Sequence, residues 1–445
     1  METSRRWWAL VVLAAAQFMV IMDTSIIGVA LPDMQRELGF TQSGLQWVFN
    51  AYVIAFGGLL LLGGRLSDLI GARRVFSSGW VILIAGSVVA AAASTAWVEV
   101  LGRAVQGVGG ALIAPAAMTL LMMLFGDKPK ELGKAMSLYG AAAPAGGTAG
   151  VFLGGVITEY LSWPWVFIVY IPIGVATLAA TRLLPAVKGR RGSVDVVGAI
   201  SVTAGLALAV YAIVAADWIA GIAGAALLLL FLIVQRTVKQ PLMPLSIWRT
   251  PGLATANLAM GLLGAAWIPM WYFLNLYLQQ SLRFGAFASG AALLPMTVAV
   301  MVFMVGITAR LLARFGAKPL IVIGLAVLAA GVLGLSFARP DGAFVSDVLP
   351  ASLVAAIGMS LAYIPAMMSA MSGAKPEEAG LASGIVNTAY QAGSALGLAV
   401  MTALAVAQQQ SVAFAGAAIV AVVGAVASLV LIRRPAVQEE QALNA

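Results

Sequence analysis

The 445 residues contain no histidine and no cysteine. Without His there is no imidazole to relay protons or to ligate a metal through nitrogen. Without Cys there is no disulfide and no thiolate chemistry. Charge is scarce as well: Asp, Glu, Lys and Arg make up 9% of the chain, against about 25% in a soluble domain. No polar stretch is long enough for a soluble domain, and no Gly-rich phosphate loop is present, so nucleotide hydrolysis is not the energy source. No nucleophile–base pair stands out, so the chain is not read as an enzyme, and no cofactor or metal is expected. What remains is apolar sequence, 62% of all residues, with a net charge of +8. The basic residues are dispersed through short loops. That marks orientation in a membrane rather than a nucleic-acid surface.

Fourteen apolar segments follow one another, near 8–30, 44–62, 75–94, 98–123, 132–155, 164–182, 196–214, 218–235, 253–277, 286–310, 319–337, 346–370, 379–403 and 411–432. Each approaches the length of about twenty residues that spans a bilayer as a helix. With both termini on the cytoplasmic side, Arg36, Arg283 and Arg339 fall in outer loops and Arg103 inside segment 4, while the rest of the 25 Lys and Arg residues lie at or near the inner face. That asymmetry follows the positive-inside rule. The longest loops, Leu124–Leu132, Pro185–Asp195 and Val238–Pro251, are then inner, and the polar tail PAVQEEQALNA is expected to be disordered. A faint repeat links GGRLSDLIGARR (63–74) with GITARLLARFGAKP (306–319). The pattern is therefore two six-helix halves, 1–184 and 241–445, separated by two extra helices within 185–240, with a site at the interface of the halves.

Inside the first segment sits one carboxylate, Asp23. An acid at that depth costs roughly 3 kcal/mol even on lenient insertion scales, and folding does not require it. A carboxyl group in poorly hydrated surroundings can take up a proton from one side of a membrane and release it on the other. Asp23 lies roughly 10 Å from the outer end of its segment and Arg103 roughly 8 Å from the same side, at ~1.5 Å per residue. The guanidinium can stabilise ionised Asp23. It can equally neutralise Glu99, four residues earlier on the same helix, a spacing that pairs well. At the inner turn, Gly64, Arg65, Asp68, Gly71, Arg73 and Arg74 group a carboxylate with cations at helix ends, a combination that can latch neighbouring helices and break on opening. Gly140, Pro144, Gly147, Gly150, Gly154 and Gly155 make segment 5 a surface for close helix approach.

These stretches resemble signatures of the major facilitator superfamily. GGRLSDLIGARRV resembles its cytoplasmic helix 2–3 signature, and LGRAVQGVGGALIAP (101–115) its helix 4 signature with a membrane arginine. DTSIIGVALPDM (23–34), GAAAPAGGTAGVFLGG (140–155) and AGLASGIVNTAYQAGSALGLAV (379–400) are similar to helices 1, 5 and 11 of the drug/proton antiporter branch with fourteen helices. Two departures stand out: Leu69 follows Asp68 where many members carry a basic residue, and the Pro-Gly order in segment 5 differs from the usual one. The resemblance implies an all-α major facilitator fold and proton-coupled efflux of small amphipathic or cationic, drug-like or antibiotic-like molecules by alternating access. It implies a multi-pass monomer in the cell inner (plasma) membrane, with protons and lipid as its other partners and no nucleic acid. The alternative is a proton symporter for uptake of a small metabolite.

No carboxylate lies deep in the last six segments, so coupling is expected in the first half, at Asp23 and Arg103. The second half offers amides and aromatic rings, which adapt to varied apolar ligands and cations. Trp267, Trp271, Asn275 and Gln279 share one helical face. With Tyr363, Asn387, Tyr390 and Gln391, and Gln17, Asn50 and Gln106 of the first half, they are the expected substrate contacts.

Overall fold

The computed structural model describes residues 3–126, 129–186, 192–339, 342–372, 379–407 and 410–432. Lys188, Arg190, Asp341 and the polar tail lie outside them. Among the described residues the chain is helical and contains no strand. The helices are α1 (Thr3–Leu38), α2 (Trp47–Leu66), α3 (Ala72–Ala91), α4 (Ala96–Phe125), α5 (Pro129–Tyr160), α6 (Trp165–Ile168), α7 (Tyr170–Ala180) and α8 (Val196–Ala215). They continue as α9 (Trp218–Thr237), α10 (Leu253–Leu276), α11 (Ala286–Val302), α12 (Thr308–Phe315), α13 (Ala317–Ser336), α14 (Leu349–Ser372), α15 (Ala379–Ala407) and α16 (Gln410–Leu431).

Among the described residues, twelve helical stretches are long and apolar enough to cross a membrane, where the sequence leads one to expect fourteen. One of the twelve, Trp47–Ala91, is 45 residues long and joins α2 to α3 through Gly71. The helices also run past the expected edges. α1 passes Pro32 to end at Leu38, and α4 and α5 consume most of the expected 124–132 loop. Polar turns such as residues 32–38 of α1 and 129–131 of α5 extend the helices beyond the apolar runs that hydropathy marks.

Two turns show the repeat directly. Gly71 has φ +96° and Gly316 has φ +78°, a backbone region that L side chains rarely adopt. Each glycine is followed at once by a helix, α3 or α13. Gly71 lies at one end of the helix stack, and the positive-φ Gly39 after α1 marks the opposite end.

α1 packs on α5 and α4, and α2 and α3 pack on α4, while α10 packs on α14, α15 and α16, and α13 on α14 and α16. α8 and α9 pair with each other, and α8 also meets α2 and α15. Buried Asp195 anchors that pair: its carboxylate accepts from Gly198 N at 2.7 Å, capping α8, and from Gln235 Nε2 of α9 at 2.7 Å. Gln235 Oε1 in turn accepts from Met243 N at 2.9 Å. Thr388 Oγ1 on α15 donates to Gly57 O on α2 at 3.1 Å, and Gln279 Nε2 after α10 donates to Val29 O on α1 at 2.9 Å.

The glycines of α5 meet helices on two sides. Gly146, Gly150 and Gly154, one per turn, lie on the carbonyls of Phe18, Met22 and Ile26, one per turn of α1. A methyl at Gly150 would sit 2.8 Å from Met22 O and 2.9 Å from Ser25 Cβ, and one at Gly154 2.6 Å from Ile26 O. Gly155 instead faces α11, where a methyl would meet Ala286 O at 2.9 Å and Gly290 Cα at 3.3 Å. At Gly147 a methyl would find nothing nearer than 3.7 Å. Gly150→Ala is therefore expected to destabilise the protein by about 1–3 kcal/mol through overpacking, with no loss in Gly147→Ala. Melting temperatures of the purified variants in detergent check this, and equal values for the two would contradict the packing.

Candidate functional site

α1 carries Asp23 and α4 carries Arg103 to the same place in the core, where each is 1% exposed. Arg103 Nη1 donates to Asp23 Oδ2 at 2.6 Å and to Gln106 Oε1 at 2.7 Å, and Nε donates to Val48 O at 2.9 Å. Gln106 Nε2 passes the network to Ser87 Oγ on α3 at 2.9 Å, which is tied back to Leu83 O at 2.8 Å. The guanidinium carbon lies 4.6 Å from the centroid of the Tyr52 ring and 5.9 Å from that of Phe167, within cation–π range. One ion pair thus joins α1, α2, α3 and α4. Its remaining polar atoms, Asp23 Oδ1 and Arg103 Nη2, are buried without a hydrogen-bond partner among the described residues.

The choice left open between Asp23 and Glu99 falls to Asp23 in this arrangement. Glu99 is 0% exposed, and neither of its oxygens has a hydrogen-bond partner among the described residues. The i, i+4 spacing did bring Glu99 near, but Arg103 points across to α1 and α2. Sequence spacing also missed Ser87, Tyr52 and the Val48 carbonyl, because nothing in a single strand of text marks which faces of α2 and α3 meet α4. Gln106, expected to touch substrate, is fully buried and spent on Arg103 and Ser87.

The other expected contacts divide into three groups. Trp271 and Asn275 lie against Gly28 of α1, and the Trp271 ring also meets that of Phe49 at 5.7 Å in a tilted arrangement. With Gln279 they form a seal between α10 and α1, while Trp267 is buried beside them. Asn50 is buried and donates to Gln46 Oε1 at 3.1 Å. Gln17, Tyr363, Asn387, Tyr390 and Gln391 stay half-buried. Gln17 accepts from Tyr139 OH at 2.9 Å, and Tyr363 meets Tyr390 edge-to-face at 5.5 Å. Asn387 Nδ2 donates to Ser383 O at 3.0 Å, and Gln391 rests on Gly57. A polar cavity of about 490 Å³ opens at the Gly39 end between Asp33, Arg36, Glu159, Gln279, Gln280 and Arg283.

At the Gly71 turn the expected latch is differently wired. Asp68 is exposed and makes no ion pair among the described residues. Arg65 instead donates to Ser193 O at 3.4 Å and to Gln240 Oε1, which also accepts from Ser193 N at 2.8 Å. Arg73 Nη1 donates to Leu184 O at 3.5 Å. Gly63 rather than Gly64 makes the tight approach to α4, on Ala111 O. Pro144 contributes its carbonyl to Thr148 Oγ1 at 3.0 Å. Arg74 is exposed.

Comparison with known proteins gives this geometry its setting. A puromycin resistance protein of Streptomyces alboniger is 38% identical over 409 residues, covering 89% of this chain and 81% of that one. A cephamycin export protein of Amycolatopsis lactamdurans is 38% identical over 414 residues, 90% of this chain and 85% of that one. Among solved structures, the nucleoside transporter NupG superposes with a TM-score of 0.71 at 12% identity over 96% of this chain and all of the other, a likeness of fold alone. The Major Facilitator Superfamily model matches residues 13–398. With most of its length inside that match, the chain belongs to the major facilitator superfamily.

Proposed function

We propose that this protein exports antibiotic-like or other amphipathic small molecules in exchange for protons, by alternating access. The observation that carries the proposal is the buried Arg103–Asp23 pair at 2.6 Å. Such a pair offsets its desolvation only while both charges are present, so protonating one member frees the other. Neutral Asp23 releases Arg103, and with it the tie from α1 through α4 to α2 and α3. Resistance and export proteins at 38% identity support the substrate class.

The fold in this reading has fourteen crossings, in two six-helix halves over 1–184 and 241–445, with α8 and α9 between them. A helix of 45 residues would be about 68 Å long, twice a bilayer core. Trp47–Ala91 is therefore two crossings turned at Gly71, and α15 supplies another. The Gly71 end, with Arg65, Arg73 and Arg74, faces the cytoplasm, and both termini lie on that side in the cell membrane. Arg65, Gln240 and Ser193 form the cytoplasmic latch, to which Gly64, Asp68, Gly71, Arg73 and Arg74 contribute the turn. Gln17, Tyr363, Asn387, Tyr390 and Gln391 contact substrate, and Asn50, Trp267, Trp271 and Asn275 join them when α10 leaves α1.

In proteoliposomes with an imposed pH gradient, puromycin movement is expected to be driven by protons moving the opposite way. Proton movement in the same direction as puromycin would mean uptake and would refute the export reading. Asp23→Asn is expected to abolish gradient-driven puromycin transport, and normal transport by that variant would remove proton coupling through Asp23. Arg103→Lys keeps the charge but cannot serve Asp23, Gln106 and Val48 from one planar group. Its initial transport rate is expected to fall at least about tenfold, and a wild-type rate would show that charge alone suffices.

A further inference from the structure

Glu99 is a buried carboxyl group that the reading above leaves without a task. It stands one turn into α4, after the exposed Ser94 and Thr95 and before Arg103. Both its oxygens are sealed from solvent without a hydrogen-bond partner among the described residues. An anion left so would be an uncompensated buried charge, which costs several kcal/mol. Arg103 stands one turn further along the same helix, and its guanidinium is bonded to the Asp23 carboxylate of α1. α2 brings the Tyr52 ring against the same guanidinium, and Tyr170 of α7 is buried with its hydroxyl unpartnered among the described residues. α3 carries only Arg73 and Arg74 as charged residues, and both sit at its far end. Arg103 has one free nitrogen, Nη2, and Asp23 one free oxygen, Oδ1, so a second carboxylate can be served without adding a cation.

We propose that Glu99 is a second proton-binding residue of the transport cycle, the station through which Asp23 receives its proton from the Gly39 end. It rests on the reading of Asp23 as the coupling acid. While Arg103 pairs with Asp23, Glu99 holds the proton. The hand-over is Glu99–COOH plus Asp23–COO⁻ giving Glu99–COO⁻ plus Asp23–COOH. The O–H bond breaks at Glu99 and forms at Asp23, and the guanidinium charge is conserved. Arg103 turns Nη2 to the new carboxylate, so no stage leaves an unpaired charge in the core. Glu99 then takes up a fresh proton from the exposed turn before α4.

Infrared difference spectroscopy of the purified protein reads this without any substrate. A carboxylic acid C=O band is expected in the native protein and absent in Glu99→Gln. The same band is expected to vanish in Asp23→Asn, where Glu99 is intact but ionised to partner Arg103. Persistence of the band in Asp23→Asn overturns the hand-over, as does its absence from the native protein. Stability gives a second reading: Asp23→Asn with Glu99→Gln should lower the melting temperature by more than the sum of the single changes, because only the double variant strands Arg103. Additive shifts would overturn the shared partnership. In proteoliposomes, gradient-driven puromycin transport by Glu99→Gln is expected to fall about tenfold. An unchanged rate there, beside a dead Asp23→Asn, defeats the Glu99 proposal alone. Normal rates in both variants defeat proton coupling through Asp23 itself.

Discussion

The ion pair between Arg103 and Asp23 is the constraint around which the first half of the molecule is built. Two charges withdrawn from water attract strongly, yet their desolvation cancels much of that gain unless further hydrogen bonds complete the site. Here the completion is specific. Val48 contributes a carbonyl from the first turn of α2, Gln106 an amide, and Ser87 a hydroxyl from α3, while the Tyr52 ring covers the guanidinium. Four helices are thereby held in one relative position by groups that each need the charge to be there. A well-packed apolar core would stabilise the bundle as well, so stability alone does not account for the pair.

Much of this was legible in the text of the sequence. A lone acid in an apolar span, a lone arginine in another and a Gly-rich segment are costly choices, and each turned out to sit where close approach or charge is used. Asp23 and Arg103 were readable because burial of charge is expensive wherever it occurs. The glycines of α5 were readable as a class, but not by member. Gly150 and Gly154 touch α1 while Gly147 has room, and only the rotation of the helix decides that. The same limit explains Gln106, Asn50 and Trp271. Amides and indoles look like ligand contacts in sequence, but a neighbouring helix uses Gln106 and Trp271, and the cap of its own helix uses Asn50.

Helix edges failed for a related reason. Pro32 does not end α1, and α4 and α5 outrun their apolar runs, because tertiary packing rather than hydropathy sets the last turns. The repeat was visible only as scattered Gly and Arg, yet its physical core is a pair of glycines with positive φ. The wiring of the Gly71 turn was invisible, since Gln240 lies far along the chain from Arg65 and carries no charge to advertise it.

The stripe of glycines on α5 bears on what can move. The atoms nearest Gly146, Gly150 and Gly154 are carbonyl oxygens of α1 itself, which cannot swing aside as a side chain can. The peptide groups flanking Asp23 are thus packed directly against the backbone of a second helix. The place of the Asp23 carboxylate beside Arg103 is set by two helix backbones rather than one.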